Sequence, residues 1–129
     1  MIFGIGVDIV QINRIQKAMD KRGEKFVKKV LSEEEYKEFL INKSSANFLA
    51  KRFAAKEAFS KALGSGFTDG LTLKQIQIVH NDKGRPLFHL TDVAKEKIEQ
   101  LNIRQCHLSL SDERKYVVAF VTLEGRVRH

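Results

Sequence analysis

One cysteine, one proline and no tryptophan occur among the 129 residues. The lone cysteine, Cys106, excludes an internal disulfide and a thiolate zinc centre, both of which need further thiols. No apolar run approaches the roughly 18 residues of a membrane helix, so no membrane partner is expected. The start, MIFGIGVDIV, has neither the basic lead nor the small-residue cleavage site of a secretory signal, and a cytoplasmic setting is expected. Internal repeats, low-complexity stretches and linkers are absent too. The length suits one domain over residues 1–129, large enough to bury a core. Acidic residues are in the minority, 16 against 23 basic ones, for a formal charge of +7. Such an excess favours an anionic partner: nucleic acid, a phosphorylated ligand or an acidic protein.

The opening strand has two unlike faces. Phe3, Ile5, Val7 and Ile9 make one wholly apolar face, while Gly4, Gly6 and Asp8 lie on the other. Glycine weakens a strand and often marks close approach by a ligand or another backbone, so two glycines clear the floor beside one carboxylate. Helical spacing follows from Ile12 to about Arg22, with Gly23 as C-cap. Ser32 and Glu35 form a capping box that opens a second helix through about Ile41, and a third runs from Ala46 to Leu63, stopped by Gly64-Ser65-Gly66. Strands near Ile76–His80 and Leu87–Leu90 flank the turn Asn81-Asp82-Lys83-Gly84. Val93–Leu101 has helical spacing, and His107–Leu110 with Tyr116–Leu123 makes a last hairpin around Ser111–Arg114, with Cys106 at its start. Arg126–His129 are expected to be loose. Hairpins supply most of the strands, which predicts an α+β domain with a mainly antiparallel sheet packed against helices.

The third helix carries the densest chemistry, in Lys51-Arg52-Phe53-Ala54-Ala55-Lys56-Glu57-Ala58-Phe59-Ser60-Lys61. At about 100° per residue, Glu57 shares its face with Ala50, Phe53, Ala54, Ser60 and Lys61. One reading is an i,i+4 Glu57–Lys61 pair on a solvated helix. The other is a carboxylate on a small apolar surface suited to packing against the glycine-cleared strand and Asp8. Two carboxylates with no histidine or cysteine cluster favour a hard cation such as magnesium, whose shell is completed by water and phosphate oxygens. Lys61 and the amides of Gly64-Ser65-Gly66 then stand where a phosphate would lie, though this stretch follows a helix and is no P-loop. A metal-dependent nuclease and a non-catalytic RNA-binding module are the rivals. The first lacks a helix-turn-helix or RNP-type signature; the second leaves Asp8 unexplained.

The segments GIGVDIVQINRI, FLAKRFAAKEAFSKALGSG, NDKGRPLF and HLSLSDERKYVVAFVTLE together resemble the holo-acyl-carrier-protein synthase family, the small bacterial branch of the 4′-phosphopantetheinyl transferases. The resemblance covers essentially the whole chain. It implies transfer of 4′-phosphopantetheine from coenzyme A to a serine of apo acyl carrier protein in fatty acid biosynthesis, releasing adenosine 3′,5′-bisphosphate, with no nucleic acid involved. Asp8 and Glu57 match the family's two magnesium-binding carboxylates. Lys61 and Gly64-Ser65-Gly66 match the segment at the coenzyme phosphates, Arg52-Phe53 match residues lining that site, and Arg85-Pro86 match a turn near the adenine. Glu57 and Lys61 are then the catalytic pair: the lysine adds a fixed cation, and the serine proton leaves to water in the metal's shell or to Glu57. Relatives form homotrimers with active sites between subunits. The basic run Arg14, Lys17, Lys21, Arg22, Lys25, Lys28 and Lys29 is by default a solvated face. Under the resemblance, Arg14, Lys21 and Arg22 with Met19 and Phe26 form a docking surface for the acidic carrier protein.

The chain departs from the family pattern in its last hairpin. Many relatives read His-Val-Ser-Ile-Thr-His, with a histidine close to the coenzyme phosphates. Here His107 is present, but the second position is Asp112. A carboxylate is no cationic phosphate ligand at neutral pH. Asp112 is therefore expected to open the turn Ser111–Arg114, with no part in proton removal.

Overall fold

A computed structural model describes residues 1–126; of the end expected to be loose, residues 127–129 lie outside the described residues. Arg126 is not loose, since its N–H donates to the Asn102 carbonyl at 3.2 Å. In chain order the elements are β1 (Ile2–Gln11), α1 (Ile12–Arg22), α2 (Glu24–Val30), α3 (Glu33–Leu40) and α4 (Ser45–Leu63). A 3₁₀ turn (Leu73–Gln75), β2 (Ile76–His80), β3 (Pro86–Leu90), α5 (Asp92–Gln100), β4 (Ile103–Asp112) and β5 (Tyr116–Gly125) complete them. The expected α+β class holds, and every strand pairing is antiparallel: a sheet in the order β1-β5-β4 and a separate β2-β3 hairpin.

Three local readings need correction. Helix α2 was not expected, because Lys25, Lys28 and Lys29 hide its short apolar repeat; Val27 and Val30 are nevertheless buried. Gly23, at φ 64°, ends α1 and starts α2 in one step. Strand β4 begins at Ile103, so Cys106 lies inside it, where burial pushes the thiol up to about 11. Ser111 and Asp112 also belong to β4, and the connection to β5 is Glu113–Lys115. The capping box at Ser32 forms as expected, with Glu35 N–H donating to Ser32 Oγ and Ser32 N–H to Glu35 Oε1.

Helix α4 is the axis of the molecule. It lies across the inner face of the sheet, and its buried residues surround it, from Leu49 and Ala50 through Ala54, Ala58 and Phe59 to Ala62. The inner face is lined by Val10, Val117, Ala119, Val121, Leu123 and Leu108. On β1 it is the glycine face that turns inward. The apolar residues Phe3, Ile5, Val7 and Ile9 point outward and are 42–64% exposed. Phe120, paired with Val7, continues this outer apolar surface on β5.

Candidate active site

Close packing of β1 on α4 makes the first half of the site. An ideal Cβ on Gly4 would stand 2.0 Å from the Ala62 carbonyl oxygen, and one on Gly6 2.0 Å from that of Ala58. No side chain fits there, so the glycines serve backbone approach between strand and helix. Asp8, next on the same face, is thereby brought against the last turns of α4. Its Oδ1 accepts from Lys61 Nζ at 2.8 Å, and Lys61 also donates to the Val7 carbonyl at 3.1 Å. The ammonium thus turns to the strand; a Glu57–Lys61 ion pair is not formed among the described residues. Glu57 is half-buried, and burial, then the Asp8 charge, raise its pKa above the ordinary carboxylate value, with Lys61 opposing. Phe53 sits one turn before Glu57, also half-buried.

Two neighbouring carboxylates already drawing a cation, Lys61, form an oxygen donor set that fits a hard divalent ion. Among the described residues no group of three His, Cys, Asp or Glu side chains could hold a metal without help. The pair therefore suits magnesium shared with a substrate phosphate, since that ion commonly takes only one or two carboxylates. After the helix, Gly64 adopts a left-handed C-cap at φ 86°, and its N–H is spent on the Ser60 and Lys61 carbonyls. Gly66 is also left-handed, at φ 65°. Gly64 therefore brings conformation to this stretch, with its amide already taken.

The second half of the site lies along the earlier turns of α4. At about 100° per residue Arg52 is half a turn around the helix from Lys61, Lys51 is about 80° from it, and Leu110 of β4 shares the Ala119 register position with Asp8. Two adjoining pockets of about 500 and 450 Å³ share Lys51, His80 and Leu110. Arg52 and Phe48 line the first; Arg85, Pro86 and Asp112 line the second. Together they form one cationic groove between α4, the β2-β3 hairpin and β4. Arg52 is almost fully buried: its Nη1 donates to Glu35 Oε2, Glu38 Oε2 and the Ile78 carbonyl at 3.0–3.1 Å. Its guanidinium also stacks 4.4 Å over the Phe48 ring. Asp112 faces α4 from the end of β4, accepts from Asn47 at 3.3 Å and pairs with Lys51 at 3.6 Å. It is a rim residue of this groove, which corrects the turn-opening role expected for it.

Sequence reasoning missed Lys51 and His80. Lys51 could have been found beside Arg52; nothing in the sequence ties His80 to α4. His107 stands apart from both halves. It lies on the outer face, in the row of Ile5 and Thr122, with Nε2 2.6 Å from Glu124 Oε1. The docking residues form a separate surface. Arg14, Lys21 and Arg22 are exposed on α1, Met19 and Phe26 are partly buried, and the Arg22 guanidinium stands 5.8 Å over the Phe26 ring.

The family model of the 4′-phosphopantetheinyl transferase superfamily matches residues 4–121. The chain is 48% identical over 126 residues to a holo-[acyl-carrier-protein] synthase of Vibrio cholerae, covering 98% of this chain and all of that one. The crystal structure of the holo-[acyl-carrier-protein] synthase from Neisseria meningitidis superimposes with a TM-score of 0.93 at 42% identity, over 96% of this chain and 99% of that one. That of Helicobacter pylori, in complex with coenzyme A, superimposes with a TM-score of 0.80 at 37% identity, over 93% and 99%. By sequence along its length and by fold, the chain belongs to the 4′-phosphopantetheinyl transferase superfamily.

Proposed function

We propose that the chain transfers the 4′-phosphopantetheine of coenzyme A to a serine of apo acyl carrier protein, with magnesium held by Asp8 and Glu57, to equip the cytoplasmic carrier of fatty acid synthesis. The juxtaposition of Asp8, Glu57 and Lys61 across the glycine-floored β1–α4 contact carries this reading. The attacking oxygen is the carrier's own serine hydroxyl, so the chain needs no nucleophile. A phosphorus–oxygen bond forms to that serine, the one to the adenosine 3′,5′-bisphosphate breaks, and the serine proton leaves to water or to Glu57. Asp8 and Glu57 would hold magnesium, which when bound would supply charge neutralisation and orientation of the reacting phosphorus. Lys61 adds a fixed cation for charge that develops on the leaving bisphosphate. The cationic groove lined by Lys51, Arg52, Arg85 and Pro86 suits the nucleotide half, and the basic α1 surface suits an acidic carrier.

The same reading includes a homotrimer with active sites between subunits. The outer face of the sheet supports it by exposing Phe3, Ile5, Val7, Ile9 and Phe120, a surface suited to burial against like surfaces. His107 on that face is then available to a neighbour's coenzyme. Incubation with coenzyme A, magnesium and an apo acyl carrier protein should add the mass of phosphopantetheine to the carrier. No mass gain with any of several carriers would refute the transferase reading.

A further inference from the structure

One group in the cationic groove has a charge that is not fixed. His80 ends β2, opposite Pro86 of β3. Around it stand Lys51 and Arg52 of α4, Glu38 of α3, Arg85 of the hairpin turn and Asp112 of β4. Among the described residues its ring makes no hydrogen bond or ion pair. Burial, then the Arg52 guanidinium, push its pKa below the ordinary imidazole value; Glu38 opposes and Lys51 adds to the depression. Coenzyme A carries two separate phosphate groups, a pyrophosphate and a 3′-phosphomonoester. On the proposed function, Asp8, Glu57 and Lys61 serve the pyrophosphate, which leaves the phosphomonoester for the second cationic cluster.

We propose that His80 is a specificity-determining ligand of the 3′-phosphomonoester and takes one proton from solvent as the nucleotide binds. The inference rests on the coenzyme reading of the groove. In the free protein, Lys51 and Arg52 oppose a third positive charge, and the imidazole is neutral at neutral pH. An incoming dianion reverses the sign of the local field and favours imidazolium, which donates to a phosphate oxygen. The balance is one proton from the buffer per coenzyme bound, with no covalent bond changed. Affinity therefore rises as pH falls through the pKa of the complex, and levels off below the pKa of the free protein. A coenzyme lacking the phosphomonoester draws no proton.

Calorimetric titration in two buffers of different ionisation enthalpy counts that proton. Coenzyme A and 3′-dephospho-coenzyme A are titrated into wild type, His80→Asn and His80→Lys at about pH 6.5 and about pH 8. Wild type is expected to take up a proton with coenzyme A and none with the dephospho form. His80→Asn should lose the uptake and bind coenzyme A about tenfold more weakly at the lower pH, with little change at the higher. His80→Lys should keep affinity at both, without uptake. The phosphate's own ionisation, near pH ~6, is common to wild type and variants, so their difference isolates the imidazole. Equal uptake in wild type and His80→Asn, or equal uptake with both coenzymes, overturns the inference while the groove remains a coenzyme site. Failure of coenzyme A to bind wild type at either pH overturns the groove reading as well.

Discussion

At Gly6 the backbone of α4 stands where a side chain would begin: an ideal Cβ falls 2.0 Å from the Ala58 oxygen and 2.7 Å from the Ala62 nitrogen. Both are main-chain atoms, so no rotamer change relieves the clash and the strand itself must move off the helix. Gly6→Ala is expected to destabilise the fold by about 3 kcal/mol or more, at the upper end of overpacking costs. It should also weaken magnesium activation, because Asp8 moves with the strand; a thermal melt and a magnesium titration read the two effects separately. Asp8→Ala and Glu57→Ala remove a carboxylate without crowding anything. Each should lower transfer about 100-fold or more and blunt the magnesium response, with the melting temperature little changed. Wild-type rate and metal response in either variant would mean the cation binds elsewhere. These residues were legible because alternation in a strand sorts side chains by face, and GIGVD sets two glycines and an acid on one of them. Packing of the glycine-cleared face against α4 was one of the two readings offered by the sequence, and it holds. The exposure of the opposite face was not legible, because apolar side chains usually mark the core and here they are left outside.

Among the elements, α4 shows where helix reasoning fails. Lys51, Arg52, Lys56 and Glu57 suggest a solvated helix, yet Arg52 and Lys56 are buried with Glu35 of α3. Glu35 Oε1 accepts from Lys56 Nζ at 2.5 Å, and Oε2 accepts from Arg52 and from Ile78 N–H at 3.1 Å. Lys56 also donates to the Val30 carbonyl at 2.7 Å, so one carboxylate ties α2, α3, α4 and β2 together. The capping box revealed Glu35 as a local cap; its long-range partners left no local pattern to read. Glu35→Ala leaves Lys56 without a carboxylate and Arg52 with Glu38 alone, and should cost about 3–5 kcal/mol, whereas Glu35→Gln with Lys56→Met should cost less than the sum of the single changes. Burial pushes Lys56 down to about 8 from the ordinary 10.5. Between those values the unfolded chain binds more protons than the folded one, so wild-type stability relative to Lys56→Met should rise with pH. Urea melts at about pH 7 and about pH 9.5 test the sign. Helix α1 behaves as its charge pattern suggests, since Arg14, Lys21 and Arg22 are exposed. Reversing all three to glutamate should raise the carrier KM, more at low salt than at high, and leave coenzyme affinity unchanged. An unchanged carrier KM would make the helix only a solvated face.

For the whole molecule, the site divides into two parts along α4. Asp8 and Glu57 lie by its last turns, Lys51 and Arg85 line the groove by its earlier turns, and the outer sheet face exposes Phe3, Ile5, Val7, Ile9 and Phe120. If each active site takes its metal half from one subunit and its groove from the next, two dead variants should rescue each other. Asp8→Ala keeps its groove; Arg85→Glu combined with Lys51→Glu keeps its carboxylates. Each alone is expected to be nearly inactive at every concentration. Unfolded together, refolded and mixed one to one, they form mixed rings with directional interfaces. A site is whole only where an intact metal half precedes an intact groove. Random assembly makes that about one site in four, so activity should recover to about a quarter of wild type. Sedimentation of the wild type, giving three times the chain mass, fixes the ring size on which the mixing depends. If the chain is a trimer and the mixed rings stay inactive, both halves of each site belong to one subunit.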